Sequence, residues 1–168
     1  MTCLQHLLPF KDSLNAAYFE FAMVIAGTLG IILARKGSAV WSISPDATVF
    51  EAIQLMADKN VGALPVVDNS RLIGIISERD YTRKVILKGL SSKDTSVRDI
   101  MTREVLTASP SDSTADCMRV MTEKRVRHLP VLLGTKMIGI VSIGDVMKWV
   151  ISAQAEEIER YVTGDYLA

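Results

Sequence analysis

The sequence contains few of the residues that build metal centres or basic nucleic-acid surfaces. Its two cysteines, Cys3 and Cys117, lie far apart and match no metal-ligand spacing. Nineteen basic residues balance nineteen acidic residues, so the chain lacks the global positive field that nonspecific nucleic-acid binding requires. We therefore predict no metal site and no nucleic-acid partner. Cys117 lies in an apolar stretch and is predicted to be buried and reduced, as in a cytoplasmic protein.

Long hydrophobic runs and catalytic groupings are also scarce. The uncharged run at 21–34 has 14 residues, fewer than the about 20 that a helix needs to cross a bilayer. The two histidines, His6 and His128, are distant in sequence, and no Gly-rich phosphate loop is present. We therefore predict neither a membrane protein nor an enzyme, with no catalytic residues and no catalytic cofactor.

What the sequence does contain is an internal repeat. Residues 40–85 align with residues 105–150 without a gap, and 15 of the 46 positions are identical. The match continues upstream, from 28–33 to 96–101, once three extra residues are allowed around "KGS". With 6% aromatic and 49% hydrophobic residues, the core is predicted to be aliphatic.

Within each unit, the prolines, the polar turn residues and the apolar runs between them predict the order strand, helix, strand, strand, helix. Ser44 and Ser109, each directly before a proline, are predicted to start the first helix with Pro at its first position. "ALPVVD" and "LIGIIS" are predicted to be short buried strands joined by the turn "NSR". The second helix is predicted to begin after Asp80. One such unit would bury its sheet poorly, so two are expected to pack as one α/β (α+β) body.

The paired motifs "NVGALPVVD…LIGIISERD" and "RVRHLPVLL…MIGIVSIGD", together with "VRDIMT", resemble a tandem pair of CBS domains. The chain resembles the stand-alone bacterial and plant-organelle proteins that contain little beyond one such pair. The resemblance implies two β-α-β-β-α units about a pseudo-twofold axis, with adenine nucleotides bound in clefts between them. It implies these domain boundaries: an N-terminal appendage at 1–27, units at 28–90 and 91–152, and a C-terminal helical extension at 153–168.

The resemblance also implies the binding residues. The first cleft is expected to combine the first unit's strand end with the second unit's segment before Leu-Pro: Ser77, Arg79, Asp80, Arg127, His128, Leu129 and Pro130. The second cleft is expected to contain Ser142, Gly144, Asp145, Gly62, Ala63, Leu64 and Pro65. A carboxylate at such a junction can accept both ribose hydroxyls, and a helix N-terminus favours phosphate. Gly74 and Gly139 are predicted to allow another backbone or a flat ring to approach closely.

Each assignment has a purely structural alternative. Ser77 and Ser142 can be helix N-caps, with Asp80 and Asp145 as first-turn acids. Arg127 can be a solvated charge near a helix C-terminus, and His128 can be a packed core histidine. In the ligand hypothesis, Arg127 and His128 neutralise phosphate, so a phosphorylated ligand would prefer the first cleft.

The chain ends lie outside the repeat. The N-terminal segment is expected to be an appended helix, with an interfacial anchor or folding on a partner as alternatives. The stretch "DVMKWVISAQAEEIERYVTGD" is predicted to form one long helix ending before Gly164, whose apolar face suggests a homodimer.

The leading hypothesis is a regulatory module that binds AMP, or else ADP, ATP, NAD or S-adenosylmethionine, and signals occupancy to a regulated protein that the sequence does not identify. The alternative is a protein-interaction scaffold with vestigial clefts.

Overall fold

The computed structural model describes residues 27–37 and 39–163. The elements of the first half are α1 (Leu29–Lys36), α2 (Val49–Lys59), β1 (Ala63–Asp68), β2 (Arg71–Ser77), α3 (Glu78–Lys84) and a 3₁₀ turn (Ile86–Lys88). Those of the second half are α4 (Val97–Ile100), α5 (Thr114–Glu123), β3 (His128–Leu133), β4 (Lys136–Ser142) and α6 (Ile143–Thr163). The mixed helix and strand class predicted from the repeat is confirmed.

The strand pairs match the prediction closely. β1 and β2 form an antiparallel hairpin in which Ala63 lies opposite Ser77. The turn uses Asn69 and Ser70 at φ values of 45° and 64°, a left-handed conformation that short polar residues tolerate. β3 and β4 form a second two-stranded sheet. The first predicted strand of each unit is reduced to one parallel bridge, Ile43 to Val66 and Ala108 to Val131.

The first helix of each unit starts later than predicted. α2 begins at Val49, because Thr48 Oγ1 accepts the Glu51 backbone N–H at 3.2 Å while Glu51 accepts the Thr48 N–H at 2.7 Å. Ser44 and Pro45 instead lie in a turn closed by the Ala47 N–H on the Ser44 carbonyl. Likewise α5 begins after Ser113, with Ser109 in the preceding turn. A side-chain cap with an acid three residues later therefore sets these helix starts more strongly than Ser-Pro does.

The second helix of the first unit starts earlier than predicted. α3 includes Asp80 within its first turn, since its N-cap is Ser77. In the second unit, α6 continues from Ile143 through Thr163 as one helix, which confirms the long C-terminal helix. Residues 164–168 and the N-terminal appendage up to residue 26 lie outside the described part of the chain. The predicted boundary at 153 falls inside α6.

Packing groups the chain into two compact units. The first comprises residues 39–106 and 134–137, and the second comprises the described residues up to 37, residues 107–133 and residues 138 onward. The predicted boundaries differ from this grouping, because they divide the chain by its sequence repeat and the units divide it by packing. The short helix at the start of each repeat packs with the other repeat. Thus α4 lies in the first unit and α1 lies in the second.

Two equivalent backbone hydrogen bonds hold each of the short helices α1 and α4 in place. In the first unit, the Val97 N–H donates to the Ala47 carbonyl at 2.9 Å, and the Arg98 N–H donates to the Pro45 carbonyl at 2.9 Å. In the second unit, Leu29 donates to Asp112 at 3.0 Å, and Gly30 donates to Pro110 at 2.9 Å. These donors are the orphan N–H groups of a helix N-terminus, so docking satisfies them.

Each unit has an aliphatic core. In the first unit the fully buried side chains include Val49, Met56, Leu64, Val66, Ile76, Val85 and Val97. In the second they include Leu29, Leu129, Val131, Val141 and Val146. Burial of each such side chain contributes about 1.5–3 kcal/mol. The core therefore fixes the strand ends, where the candidate site residues lie.

Candidate functional site

The serine and aspartate that end β2 form a reciprocal helix cap. Ser77 Oγ accepts the Asp80 backbone N–H at 3.3 Å, while Asp80 Oδ2 accepts the Ser77 N–H at 3.0 Å and its Oγ–H at 2.6 Å. The structural alternative, an N-cap with a first-turn acid, is thus confirmed for this pair. A ligand role for the same residues stays a prediction.

The second carboxylate oxygen of Asp80 is also engaged. Lys84 lies one helical turn further along α3, and its Nζ is 2.8 Å from Asp80 Oδ1. The same amino group donates to the Ile100 carbonyl at 2.7 Å. Both oxygens of Asp80 therefore have protein donors, and a ligand hydroxyl would have to compete with Lys84.

The end of β4 has the same cap, but here the lysine contacts the carboxylate oxygen that already serves the cap. Asp145 Oδ2 accepts the Ser142 N–H at 2.8 Å and the Ser142 Oγ–H at 2.7 Å. A third donor, Lys36 Nζ of α1, reaches the same oxygen at 2.7 Å and also donates to the Ile140 carbonyl. Within the described residues, no donor meets Asp145 Oδ1, so one carboxylate oxygen remains available to a ligand.

Asp145 is held in its ionised form. Burial of the side chain by itself would raise its pKa, but hydrogen bonds from Lys36 and Ser142 outweigh that effect and leave the pKa below its usual value. The side chain is 18% exposed. It is therefore a partly accessible carboxylate at the strand-to-helix junction, at neutral pH fully charged.

The segment before Leu-Pro lies beside the strand end of its own unit. In the first unit, the Gly62 carbonyl accepts the Glu78 N–H at 3.3 Å, and Ala63 pairs with Ser77. In the second, the Arg127 carbonyl accepts the Ile143 N–H at 2.9 Å. The structure thus brings Gly62 and Ala63 next to Ser77, and Arg127 next to the β4 end. The exchange of these segments between repeats, as expected from the resemblance, stays a prediction.

His128 is half-buried and carries little charge. Burial, together with the nearby positive charges of Arg127 and Lys36, lowers its pKa to about 4, although the Asp145 carboxylate opposes the shift. His128 is therefore neutral at neutral pH in this structure, and the expectation that its imidazole helps to neutralise a bound phosphate stays a prediction. Arg127 is exposed.

The other expected binding residues fall into two groups. The side chains of Leu64, Pro65, Leu129 and Pro130 are buried, so they support the strands and leave only backbone atoms for a ligand. Arg79 is half-buried and Gly144 exposed, each in the first turn of its helix.

The close approach predicted at the strand glycines is confirmed, but the approaching groups are mainly side chains. A Cβ at Gly74 would lie 2.6 Å from Met101 Sδ and 3.2 Å from the Thr102 carbonyl oxygen. A Cβ at Gly139 would lie 2.5 Å from a methyl carbon of Leu33. Met101 and Leu33 occupy matching places in the repeat, so each glycine makes room for the helix docked on its own strand.

Sequence reasoning missed both lysines at the aspartates. Lys84 could have been found, because it lies four residues after Asp80 on a predicted helix, a spacing at which opposite charges meet. Lys36 could not, since it lies 109 residues from Asp145 in sequence. Among the described residues there is no cluster of three or more metal-binding side chains, and no helix there is long and apolar enough to cross a membrane.

The sequence matches a known family of domains. The family model for the CBS domain matches residues 37–86 and 97–152. The mitochondrial CBS domain-containing protein CBSX3 of Arabidopsis thaliana is 46% identical over 169 residues, covering 93% of this chain and 82% of the relative.

Two solved structures are also similar. A candidate signal-transduction protein with CBS domains from Burkholderia ambifaria MC40-6 is 49% identical, with a TM-score of 0.74, covering 76% of this chain and 96% of that one. The CBS domain structure of NE2398 is 47% identical, with a TM-score of 0.72, covering 74% and 98%.

Proposed function

Because the chain belongs to the CBS domain family and contains two copies of the domain, we propose that it is a regulatory module that binds adenine nucleotides. AMP is the leading ligand, followed by ADP, ATP, NAD and S-adenosylmethionine. The observation that carries this proposal is the carboxylate of Asp145, ionised and 18% exposed, with Oδ1 lacking a donor among the described residues.

The chemistry of the second unit suits a nucleoside phosphate. Asp145 Oδ1 can accept a ribose hydroxyl while Oδ2 keeps the helix cap intact. The exposed guanidinium of Arg127 belongs to the segment whose carbonyl is bonded to the first residue of α6, and it can pair with phosphate. The neutral His128 imidazole adds a hydrogen-bonding group without charge. The first unit offers the same cap at Ser77 but a carboxylate already paired with Lys84.

A panel of nucleotides tests the proposal by thermal unfolding. A ligand at 100 times its dissociation constant adds about 2.7 kcal/mol to the free energy of unfolding, which should shift the midpoint clearly. AMP is expected to give the largest shift. Asp145→Asn should remove most of that shift, because it deletes the charge that strengthens a hydrogen bond to ribose.

Asp99→Asn is the matched control. Asp99 Oδ2 accepts the Ser96 N–H at 3.4 Å and the Ser96 Oγ–H at 2.7 Å at the start of α4, so Asp99→Asn alters a similar acid at a helix start and leaves Asp145 unchanged. We expect the AMP-induced shift to survive in this variant. If Asp99→Asn and Asp145→Asn reduced the shift equally, Asp145 would be a cap alone.

An interaction scaffold remains the second candidate, supported by exposed apolar side chains on α6. Met147 and Ile151 are 42% and 60% exposed and lie one helical turn apart. Such a face suits a homodimer or the regulated partner. Light scattering should give twice the 18.5 kDa chain mass for the dimer, and Met147→Glu with Ile151→Glu should halve it. A chain that responds to no nucleotide but dimerises would favour the scaffold.

The cytoplasm is the proposed location, and the regulated protein is not identified by the chain. The Arabidopsis thaliana relative is a mitochondrial protein by name.

A further inference from the structure

The second unit contains a cavity beyond Asp145, between α1 and α6. Its volume is about 240 Å³, and it is lined by Ile32, Arg35, Lys36, Asp145, Lys148, Trp149 and Ser152. We call it the basic cavity. The lining residues of α6 follow one face of that helix, since 145, 148, 149 and 152 are three, four and seven positions apart.

The basic cavity has more positive charge than its own carboxylate can balance. Arg35, Lys36 and Lys148 supply three cations, whereas Asp145 supplies one anion. Lys36 is paired with that carboxylate at 2.7 Å. Lys148 is exposed and has no ion pair or hydrogen bond within the described residues. Two cations are therefore left for an anion that enters the cavity.

Arg35 is positioned rather than merely solvated. Its guanidinium carbon lies 4.6 Å from the centroid of the Trp149 ring, so the indole supports one face of the group. Stacking leaves the N–H edges of a guanidinium open, and these edges match two oxygens of a phosphate. Ser152 contributes a hydroxyl to the lining. The wall is thus rich in donors and poor in acceptors.

Part of the cavity lining lies outside the segments that the family model matches. The family model starts at residue 37, so Ile32, Arg35 and Lys36 lie outside the matched segments. Arg35 and Lys36 also lie beside the three extra residues around "KGS", which the second repeat lacks. Two of the three cations therefore lie outside the segments that the family model matches.

We propose that the basic cavity binds a phosphate-class oxyanion carrying more than one negative charge, held by Arg35 and Lys148 against Trp149. A volume of about 240 Å³ is below the roughly 300–1,000 Å³ of pockets that enclose whole small molecules, which suits a diphosphate group. The group can be free diphosphate or the terminal phosphates of a nucleotide. This site goes beyond the proposed function, because it does not require that Asp145 bind ribose.

Calorimetric titration with inorganic pyrophosphate tests the site in the full chain. We expect saturable binding that weakens as salt increases, since screening acts on exposed charges. Arg35→Met and Lys148→Met should each weaken binding about 10-fold through loss of a charged hydrogen bond. Arg35→Lys should fall between wild type and Arg35→Met, because it keeps the charge but loses the two-pronged edge.

Trp149 provides a second readout within the cavity. The chain has two tryptophans, so Trp41→Phe leaves Trp149 as the reporter. Pyrophosphate should change its fluorescence with the same midpoint as the heat signal. Lys59→Met is the matched control, because Lys59 stacks on Trp41 at 4.2 Å in the first unit and lines no part of the cavity. It should bind pyrophosphate as the wild type does.

Titration with AMP and ATP identifies the source of the phosphate. If the cavity takes a nucleotide tail, Arg35→Met weakens ATP but leaves AMP unchanged; if it takes free diphosphate, only pyrophosphate is weakened. Either result supports the site. It is overturned if pyrophosphate and ATP bind Arg35→Met and Lys148→Met as they bind wild type, or if neither anion binds. Loss of AMP binding in Asp145→Asn with pyrophosphate binding retained would count against nothing in the basic cavity and would bear on the proposed function alone.

Discussion

The two units form the same serine-aspartate cap but meet its carboxylate with lysines of different origin. In the first unit, Lys84 follows Asp80 by one turn of the same helix and occupies Oδ1. In the second, Lys36 comes from α1, 109 residues away, and occupies Oδ2, which already serves the cap. One carboxylate is therefore fully used by the protein, whereas the other keeps an oxygen for a ligand.

The two copies of the repeat share their backbone-level features and differ in the polar side chains around them. Backbone-level features recur at matching positions: the cap, the docking hydrogen bonds of α1 and α4, and the glycine under each docked helix. Polar side chains do not all recur, since Ala63 in the first unit corresponds to His128 in the second.

The largest expected effect is the pH dependence contributed by His128. Its folded pKa of about 4 lies below the ordinary value of 6.5, so the unfolded chain binds the proton more readily. The stability that depends on a neutral His128 is therefore present above pH 6.5 and is lost as the pH falls towards 4. The loss is at most about 3 kcal/mol. His128→Ala, which copies Ala63, should flatten the unfolding free energy between pH 6.5 and 4 in urea titrations; an unchanged slope would contradict the burial of a neutral imidazole.

The glycines should respond unequally to an added methyl group. In Gly139→Ala the new Cβ meets the branched end of Leu33, whereas in Gly74→Ala it meets mainly the flexible thioether of Met101. Overpacking costs about 1–3 kcal/mol, and we expect Gly139→Ala at the upper end of this range and Gly74→Ala at the lower. Urea unfolding measures both. In the double variant with Leu33→Ala, the total loss should be smaller than the sum of the two single losses; strictly additive costs would show that Leu33 is not the obstacle.

The smallest expected effect is that of the lysines on stability. Lys36→Met and Lys84→Met each remove a partly exposed ion pair, worth about 0.2–1 kcal/mol. Since hydrogen bonds from Lys36 help to lower the pKa of Asp145, the loss in Lys36→Met should be present above the ordinary pKa of 3.8 and vanish as the pH falls below it. Unfolding at pH 7 and near pH 3 checks this, and a loss of equal size at both would be inconsistent with a charge interaction.

The repeat made most of the fold predictable, because strand pairs and a long amphipathic helix leave local patterns. The helix starts were misplaced, since Thr48 and Ser113 compete with Ser-Pro as caps and only the geometry decides between them. The site was predictable as far as Ser77, Asp80, Ser142 and Asp145. Lys36 and the low pKa of His128 were not, because they depend on contacts between segments distant in sequence and on burial.

We propose that Asp145 receives the ribose of an adenine nucleotide more readily than Asp80 does. Calorimetric titration with AMP of wild type, Asp80→Asn and Asp145→Asn tests this claim most directly. We expect Asp145→Asn to weaken the tighter binding event about 10- to 100-fold, as for loss of a charged hydrogen bond, and Asp80→Asn to leave that event nearly unchanged. Equal affinity in all three proteins, or a larger loss in Asp80→Asn, would contradict it.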